Sequence, residues 1–307
     1  MTGADITLTF LGTGSAVPPL NRQQACMALR HGFGLIIFDC GEGAQYALRK
    51  NQISTTKELI VCITHLHSDH FLGLPGLLAS FELLNREDGI TILGPKHVAQ
   101  LVQNLMIANF VKTTYQISVV ELEPGELFSG HGFTIQAIKA IHEANALSYI
   151  FRENSRPGKM NIDKIKEFGI PDGPLIGELQ RGNEIEVAGK KILPDMVMGP
   201  ERSGRSICYT GDTAPNQILI ERLKVGCDVL VHEATYPSDA IELASERNHS
   251  TVKQAIEVAK AGEVGHLILT HISPRIMNFK EEIKENQDDS LTFQFAKDGL
   301  KFVLPFK

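Results

Sequence analysis

We expect no segment of this chain to direct it to or across a membrane. Within its 307 residues, no apolar run approaches the roughly 20 residues needed to span a bilayer. The N-terminal stretch, Met1-Thr2-Gly3-Ala4-Asp5, has neither the basic start nor the apolar core of a secretory signal. We therefore expect a cytoplasmic protein with no membrane partner.

Cysteine is scarce and an excess of positive charge is absent. The five cysteines are scattered with no Cys-x-x-Cys pair, and four of them (Cys40, Cys62, Cys208 and Cys227) lie in strand-like contexts, where free buried thiols are common. This pattern favours a reduced, cytoplasmic environment. The net charge of −6 does not indicate general affinity for nucleic acid, so any contact with RNA must come from a local basic patch.

The most informative stretch that is present is His65-Leu66-His67-Ser68-Asp69-His70, with three imidazoles and a carboxylate in six residues. The apolar, β-branched residues 58–63 before it are typical of a buried strand, and residues 71–78 after it of a turn leading into a helix. The stretch therefore follows the carboxyl end of a strand, where open α/β sheets place their ligands. A polar surface loop is the alternative, but three of the chain's eleven histidines fall in these six residues.

The spacing within this stretch suits a pair of metal ions. Imidazole and carboxylate are the ligands that Zn²⁺ prefers. His65 and His67 point the same way if the backbone stays extended, and Asp69 and His70 then face another direction. One short loop can therefore supply ligands to two metals.

The chain has two similar halves. The first runs strand, turn at Asp39, helix, strand, histidine cluster and helix, and the second runs strand, turn at Asp212, helix, strand, helix, strand and His271. Two mixed sheets packed face to face, with helices outside, would bury both halves and bring their polar strand ends to one edge. A dinucleotide loop at Gly12-x-Gly14 is the alternative for the first turn, but the third glycine and the later acidic residue of that motif are missing.

The pattern His-x-His-x-Asp-His resembles the signature of the metallo-β-lactamase superfamily. Further motifs of that superfamily have counterparts in the same order: residues 9–16, residues 38–43, a strand-like run through Ile138 and Ile141 that ends at His142, residues 209–213 and residues 267–271. The resemblance implies an α/β fold over residues 1–307, in which two mixed sheets form an αββα sandwich.

One segment, residues 152–194, does not fit the sandwich. Proline and glycine bracket a short helix-like piece at 161–168, and residues 152–168 carry five basic against three acidic residues in a chain that is acidic overall. An ordinary surface insertion is the alternative. The run containing Gly173 and Pro174, however, resembles the protruding substrate-binding arm, or exosite, of the ribonuclease Z family.

Three further motifs resemble the same family. They are His232-Glu233-Ala234-Thr235, His249-Ser250-Thr251 and His271-Ile272-Ser273-Pro274-Arg275. Ser250 or Thr251 could also cap the helix that follows. The resemblance implies a zinc-dependent endoribonuclease that removes the 3′ trailer from precursor transfer RNA, and a homodimer.

The resemblance also implies the site residues and a mechanism. The two Zn²⁺ ions of each chain would be held by two triads and a bridging aspartate: His65, His67 and His142; Asp69, His70 and His271; and Asp212. A metal-bound hydroxide would attack the phosphodiester, with Asp69 as general base. His249, polarised by Glu233, would be the general acid. Asp39 would accept a hydrogen bond from a ligand histidine and fix its tautomer.

Substrate contacts are implied at eight positions: Arg22, Arg156, Lys159, Lys164, Lys166, Gly173, Pro174 and Arg275. The chain departs from the family at the N-terminal loop associated with reading the transfer-RNA 3′ end. Leu20 replaces a lysine and Gln23 an asparagine, while Ile276 stands where an aromatic residue is common. The basic charge of the loop is halved, so discrimination against a mature CCA end is the property most affected.

Two other functions remain open on the sequence. A dinuclear-zinc phosphodiesterase acting on small substrates is favoured by the altered N-terminal loop, whereas the arm and the His249–Glu233 pair argue against it. A non-catalytic RNA-binding paralogue would keep the fold without the metals, but the complete set of seven candidate ligands argues against it.

Overall fold

The computed structural model describes residues 5–142, 145–287 and 290–306. The strands are β1 (Ile6–Gly12), β2 (Cys26–Arg30), β3 (Gly34–Phe38), β4 (Glu58–Cys62), β5 (Ile90–Gly94), β6 (Ile117–Glu121), β7 (Leu127–Gly130), β8 (Phe133–Lys139), β9 (Leu147–Glu153), β10 (Ile185–Val187), β11 (Lys190–Ile192), β12 (Ser206–Tyr209), β13 (Val229–Glu233), β14 (His266–Thr270), β15 (Phe293–Phe295) and β16 (Lys301–Leu304). The helices are α1 (Ala44–Lys50), α2 (Leu74–Leu83), α3 (Val98–Ala108), α4 (Ile162–Glu167), α5 (Pro174–Gln180), α6 (Pro194–Val197), α7 (Gln217–Leu223), α8 (Ile241–Glu246), α9 (Val252–Ala261) and α10 (Phe279–Asn286).

Two mixed sheets carry the described part of the chain. The first has the strand order β16-β1-β2-β3-β4-β5-β6, with antiparallel pairs from β16 to β3 and parallel pairs from β3 to β6. The second has the order β15-β14-β13-β12-β9-β8-β7, in which β12 to β15 are parallel and β7 pairs antiparallel with β8. Each half of the chain supplies most of one sheet.

Three apolar clusters stack as layers. Successive strand residues face opposite sides of a sheet, so a strand that is apolar throughout needs cover on both faces. The central cluster joins the two sheets, with Phe10 and Phe38 from the first and Phe133 and Phe151 from the second. Helices α1, α2 and α3 cover the outer face of the first sheet, and α7 and α9 that of the second. The predicted αββα sandwich is confirmed.

Polar residues follow the strand ends in unusual backbone conformations. Asp39 after β3 and His271 after β14 have φ of 55° and 56°, and Gly211 after β12 has φ of 59°. These values lie in the left-handed region that side chains other than glycine seldom adopt. The chain therefore turns sharply at each strand end, which brings polar side chains to a shared edge.

The strand predicted to end at His142 ends three residues earlier, so that prediction is wrong. Strand β8 ends at Lys139, and the Ala140 N–H, just beyond that end, donates to the Ala146 carbonyl at 3.0 Å. Ile141 is exposed there, because its apolar side chain has no sheet face to enter. His142 thus lies in a loop three residues beyond the strand.

Residues Arg152–Arg205 form a separate compact unit. It contains α4, α5, α6 and the β10–β11 hairpin around a small core of Ile170, Leu179, Ile185, Ile192 and Val197. The Asn161 side chain caps α4 by accepting from two backbone N–H groups. Where the unit begins and ends, the buried Arg205 guanidinium pairs with the Glu153 carboxylate at 2.6 Å. The predicted insertion, residues 152–194, lies within this unit, which continues to Arg205.

The five cysteines are all buried, and none forms a disulfide with another described residue. In the described ranges, no helix is both long and apolar enough to span a bilayer.

Candidate metal centre

Three histidines converge beside the end of β4. His67 has extended backbone (φ −81°, ψ 145°), and a short 3₁₀ turn then begins at Ser68. His67 Nδ1 lies 3.0 Å from His65 Nε2 and 3.2 Å from His142 Nε2. The three ring nitrogens therefore face one another, although burial is complete only for His65.

A second group adjoins the first through Asp212. Asp69 Oδ2 lies 3.4 Å from both His70 Nε2 and His271 Nε2. Asp212 Oδ2 lies 3.4 Å from His70 Nε2 and 3.8 Å from His65 Nε2, while its Oδ1 lies 3.3 Å from His271 Nε2. Asp212 thus stands between the two triads, so all seven candidate ligands are brought together.

The spacing of these atoms fits zinc. Two ligands that bind one zinc ion tetrahedrally at about 2.0–2.1 Å lie about 3.3 Å from each other. The separations within each triad, 3.0–3.4 Å, are close to that value. Among the described residues, His70 Nε2 and Asp212 Oδ1 are buried with no hydrogen-bond partner. Buried polar atoms normally have partners, so two such atoms aimed at one cluster indicate a place for a cation.

The charge states also suit a metal, because zinc binds neutral imidazole and ionised carboxylate. Burial and the neighbouring His70 hold the pKa of His65 well below its usual value. Burial alone would raise the pKa values of Asp69 and Asp212, but the surrounding histidines outweigh it and lower both. His65, Asp69 and Asp212 are therefore offered deprotonated. Burial lowers the pKa of His70, but the carboxylates of Asp212 and Asp39 outweigh it and raise that pKa, so His70 would have to release a proton to bind a metal.

Asp39 lies beneath the cluster and is fully buried. Its Oδ2 lies 2.7 Å from His70 Nδ1 and accepts from the Tyr209 hydroxyl at 3.1 Å. Its Oδ1 accepts from the Thr64 N–H at 2.8 Å and from the Thr64 hydroxyl at 2.9 Å. The Asp39 carboxylate can therefore hold the His70 ring from the side opposite the cluster.

His249 stands next to the cluster and pairs with Glu233. His249 Nδ1 lies 2.8 Å from Glu233 Oε1, and Glu233 is fully buried at the end of β13. Burial favours the neutral ring, but the Glu233 carboxylate outweighs it and raises the pKa of His249 to about 9. A histidine held in its protonated form beside candidate metal ligands can act as a proton donor.

The predicted substrate contacts are more scattered. Lys159, Lys164 and Lys166 are exposed on the Arg152–Arg205 unit, and Gly173 and Pro174 begin α5 there, whereas Arg156 is only partly exposed. Arg22 turns inward, because its guanidinium donates to the Thr13 hydroxyl and to the Ala296 carbonyl. Arg275 is exposed, with its guanidinium 5.5 Å from the centre of the Tyr236 ring.

Three polar residues of the site were not predicted from the sequence. Thr64 and Thr235 each contact a ligand histidine and a buried carboxylate, and Tyr209 donates to Asp39. Adjacency is the signal that could have found the threonines: Thr64 directly precedes the histidine cluster, and Thr235 is the last residue of the His-Glu-Ala-Thr motif. Thr251, by contrast, caps α9, as the sequence allowed.

Comparison with known proteins identifies the superfamily. A family model described as anti-Pycsar protein Apyc1 matches residues 6–156, and one described as a beta-lactamase superfamily domain matches residues 196–272. The chain also superimposes on the crystal structure of human tRNase Z, short form, with a TM-score of 0.70 and 25% identity. That match covers 98% of this chain and all of the human one.

Close relatives define the family. A ribonuclease Z of Methanosarcina acetivorans is 34% identical over 305 residues, covering 98% of this chain and 99% of its own. A ribonuclease Z of Nitrosopumilus maritimus is 37% identical over 298 residues, covering 97% and 99%. The resemblance found in the sequence motifs is thus confirmed over nearly the whole length. The chain belongs to the ribonuclease Z family, hydrolytic endoribonucleases of the metallo-β-lactamase type.

Proposed function

We propose that this protein is a zinc-dependent endoribonuclease that removes the 3′ trailer from precursor transfer RNA. The observation that carries the proposal is the pair of ligand triads sharing Asp212, with the His249–Glu233 pair beside them. Such a site joins two metal positions to a proton donor, which is what cleavage of a phosphodiester with a poor leaving group needs. The ribonuclease Z names of the relatives and the name of the matched human protein, tRNase Z, support a transfer-RNA substrate.

The two zinc ions would be held by the triads described above. His65, His67 and His142 would bind one; Asp69, His70 and His271 the other; and Asp212 would contact both. When bound, a metal pair of this kind lowers the pKa of a nearby water and offsets the charge that develops on the phosphate.

The chain's own side chains then handle the protons. The Asp69 carboxylate would orient the attacking water and accept its proton. As the new P–O bond forms, the bond from phosphorus to the ribose 3′ oxygen breaks, and that oxygen needs a proton. His249 can supply it, and Glu233 holds the ring and stabilises its charge. Loss of either residue should therefore slow the step in which the leaving group departs.

The Arg152–Arg205 unit is the proposed substrate-binding arm. The whole unit contains ten basic and nine acidic residues, so its net charge is close to zero. The excess of basic residues is confined to residues 152–168, which include Arg156, Lys159, Lys164 and Lys166. Phosphate contacts from such a patch would supply affinity and register without base specificity. In the rest of the chain, Arg275 is exposed enough to meet a phosphate, whereas Arg22 would first have to leave its internal partners.

A homodimer and a cytoplasmic location remain proposals that rest on the family resemblance and on composition. Light scattering coupled to gel filtration would test the dimer.

A small-substrate phosphodiesterase is the second candidate function, and one observation favours it. Leu20, at the position where the family often carries lysine, is fully exposed. It thus offers no charge to a transfer-RNA 3′ end.

The deciding experiment is incubation of the purified protein with a 3′-extended precursor transfer RNA, with both product ends mapped. We expect one cut at the 3′ side of the acceptor stem, a 3′ hydroxyl on the transfer RNA and a 5′ phosphate on the trailer. Rapid hydrolysis of bis(p-nitrophenyl) phosphate without cleavage of the precursor would instead support the second candidate.

A further inference from the structure

Two buried carboxylates beneath the candidate metal centre share a pattern of contacts with one threonine and two histidines. Asp39 is the first. The Thr64 N–H and hydroxyl both bond to its carboxylate, and Thr64 Oγ1 also lies 3.1 Å from His65 Nδ1. On its other oxygen, Asp39 contacts His70 Nδ1 at 2.7 Å. One carboxylate thus reaches one histidine directly and a second through a threonine hydroxyl.

Glu233 repeats this arrangement in the second half of the chain. The Thr235 N–H donates to Glu233 Oε2 at 3.1 Å, and the Thr235 hydroxyl donates to the same oxygen at 2.6 Å. Thr235 Oγ1 lies 2.9 Å from His271 Nδ1. On its other oxygen, Glu233 contacts His249 Nδ1 at 2.8 Å. The pattern of carboxylate, threonine and two histidines is therefore the same in both halves.

We propose that Thr64 and Thr235 are positioning residues that hold His65 and His271 in the Nδ1–H tautomer, so that each ring presents a bare Nε2 to a zinc ion. This inference rests on the proposed function, because it assigns the metal-binding nitrogen of two proposed ligands. It goes beyond that function in giving the two threonine hydroxyls a task.

The direction of each chain of hydrogen bonds follows from counting protons. A threonine hydroxyl has one proton and two lone pairs. In each half the threonine hydroxyl donates its one proton to the carboxylate, Thr64 to Asp39 and Thr235 to Glu233. Its lone pairs can then only accept, which requires a proton on Nδ1 of the neighbouring histidine. A neutral imidazole carries one proton, so Nε2 is left free.

The other two histidines of the first triad show what happens without such a threonine. His142 Nδ1 lies 3.1 Å from the Asn248 carbonyl, an acceptor that also requires Nδ1–H. His67 is turned the other way, since its Nδ1 faces the nitrogens of His65 and His142. The tautomer is thus set at each ring by its own partner, and His67 is expected to carry its proton on Nε2.

The two threonines differ in what they link. Thr64 joins two proposed ligands, His65 and His70, through Asp39. Thr235 joins a proposed ligand, His271, to the proposed acid, His249, through Glu233. Removing the Thr235 hydroxyl should therefore weaken one zinc site and at the same time leave Glu233 short of a donor.

The test compares Thr235→Val, which keeps the shape and removes the hydroxyl, with Thr235→Ser, which keeps the hydroxyl. Zinc affinity is measured by competition with a chromophoric chelator, and zinc content by elemental analysis. We expect Thr235→Val to weaken one of the two zinc sites by about 10–100-fold, the usual effect of losing a hydrogen-bond partner of a ligand, and Thr235→Ser to restore it. Thr64→Val should weaken the other site, with Thr64→Ser as its matched control.

Unchanged affinity in both valine variants would overturn the proposal, and so would equal loss in the valine and serine variants. Neither outcome depends on RNA cleavage.

A second measurement needs no variant. Long-range ¹H–¹⁵N correlation spectra of histidine-labelled wild-type protein report which ring nitrogen carries a proton. We expect Nδ1–H at His65 and His271 with or without zinc, and Nε2–H at His67 in the zinc-loaded protein. A bare Nδ1 at His65 or His271 would overturn the proposal. If the wild-type protein binds no zinc, the metal assignment of the proposed function fails, whereas the spectra of the metal-free protein still decide the tautomers.

Discussion

Gly211 packs directly against Thr64. A Cβ atom placed on Gly211 would lie 2.7 Å from three atoms of the Thr64 side chain, closer than real side chains approach. Gly211 precedes Asp212, and Thr64 precedes His65, so the contact joins the proposed bridging ligand to the first triad. The two halves of the chain thus meet at a position that admits no side chain.

Gly211→Ala should therefore damage both stability and metal binding. The residue has φ of 59°, and a left-handed backbone costs an L-residue about 1–2 kcal/mol. The clash with Thr64 should add about 1–3 kcal/mol of overpacking. We expect a lower urea midpoint with an unchanged slope, and reduced zinc content, because Thr64 and Asp212 must separate.

Gly169→Ala is the matched control. Gly169 has a similar φ of 65°, but nothing lies within 4 Å of the position its Cβ would take. It should lose only the backbone contribution and keep its zinc. Equal zinc loss in both variants would mean that the Gly211–Thr64 contact does not set the site.

The purified protein should contain close to two transition-metal ions per chain, mostly zinc. His67→Ala should lower that content and abolish RNA cleavage, because a triad has no spare ligand. His131→Ala, at an exposed turn, is the control and should leave metal and activity unchanged. Elemental analysis that finds no bound metal in fully active protein would rule out a dinuclear site.

The motifs predicted the fold and the proposed ligand set because they are local. A short stretch such as residues 65–70 carries its donors, their spacing and the strand before them together, so periodicity and residue type are enough. Family resemblance then placed Asp212 and His271 in the same site, and the structure brings them within 3.3 Å of each other.

Contacts between residues far apart in the chain could not be predicted from the sequence. Thr235 meets His271 across 36 residues, and Gly211 meets Thr64 across a still longer stretch, and no periodic pattern encodes either pairing. Arg22 looked like a substrate contact, yet its guanidinium is satisfied by Thr13 and Ala296. These contacts depend on the backbone turn at each strand end, and residue type alone does not predict φ at those turns.

His249→Ala should leave the zinc content intact and slow cleavage of precursor transfer RNA by about 10²–10⁴-fold, the usual contribution of positioned proton transfer. Bis(p-nitrophenyl) phosphate should be much less affected, because its leaving group needs little protonation. Glu233→Gln should show the same contrast with a smaller loss. If His249→Ala slowed both substrates equally, or released zinc, His249 would be a structural or ligand residue.

The arm can be removed without replacing any proposed metal ligand. The ion pair between Glu153 and the buried Arg205 joins the two ends of the arm, so residues 155–202 can be replaced by a short Gly-Ser linker that leaves this pair in place. The small core of the arm is removed whole, and all seven proposed ligands lie outside the replaced span. The variant should keep two zinc ions and hydrolyse bis(p-nitrophenyl) phosphate at the wild-type rate.

The Michaelis constant of the linker variant for precursor transfer RNA should rise sharply and depend less on salt, because each lost phosphate contact removes about one unit from the salt slope.

A triple variant, Lys159→Glu, Lys164→Glu and Lys166→Glu, should reproduce the loss of affinity in a folded arm. The matched control, Lys190→Glu with Lys191→Glu, changes charge on the same unit outside the basic stretch and should have little effect. If the triple variant and the control behaved alike, net charge alone would explain the change. If the linker variant kept the affinity and salt slope of the wild type, the unit would be an ordinary insertion, and the small-substrate phosphodiesterase would become the better account of the site.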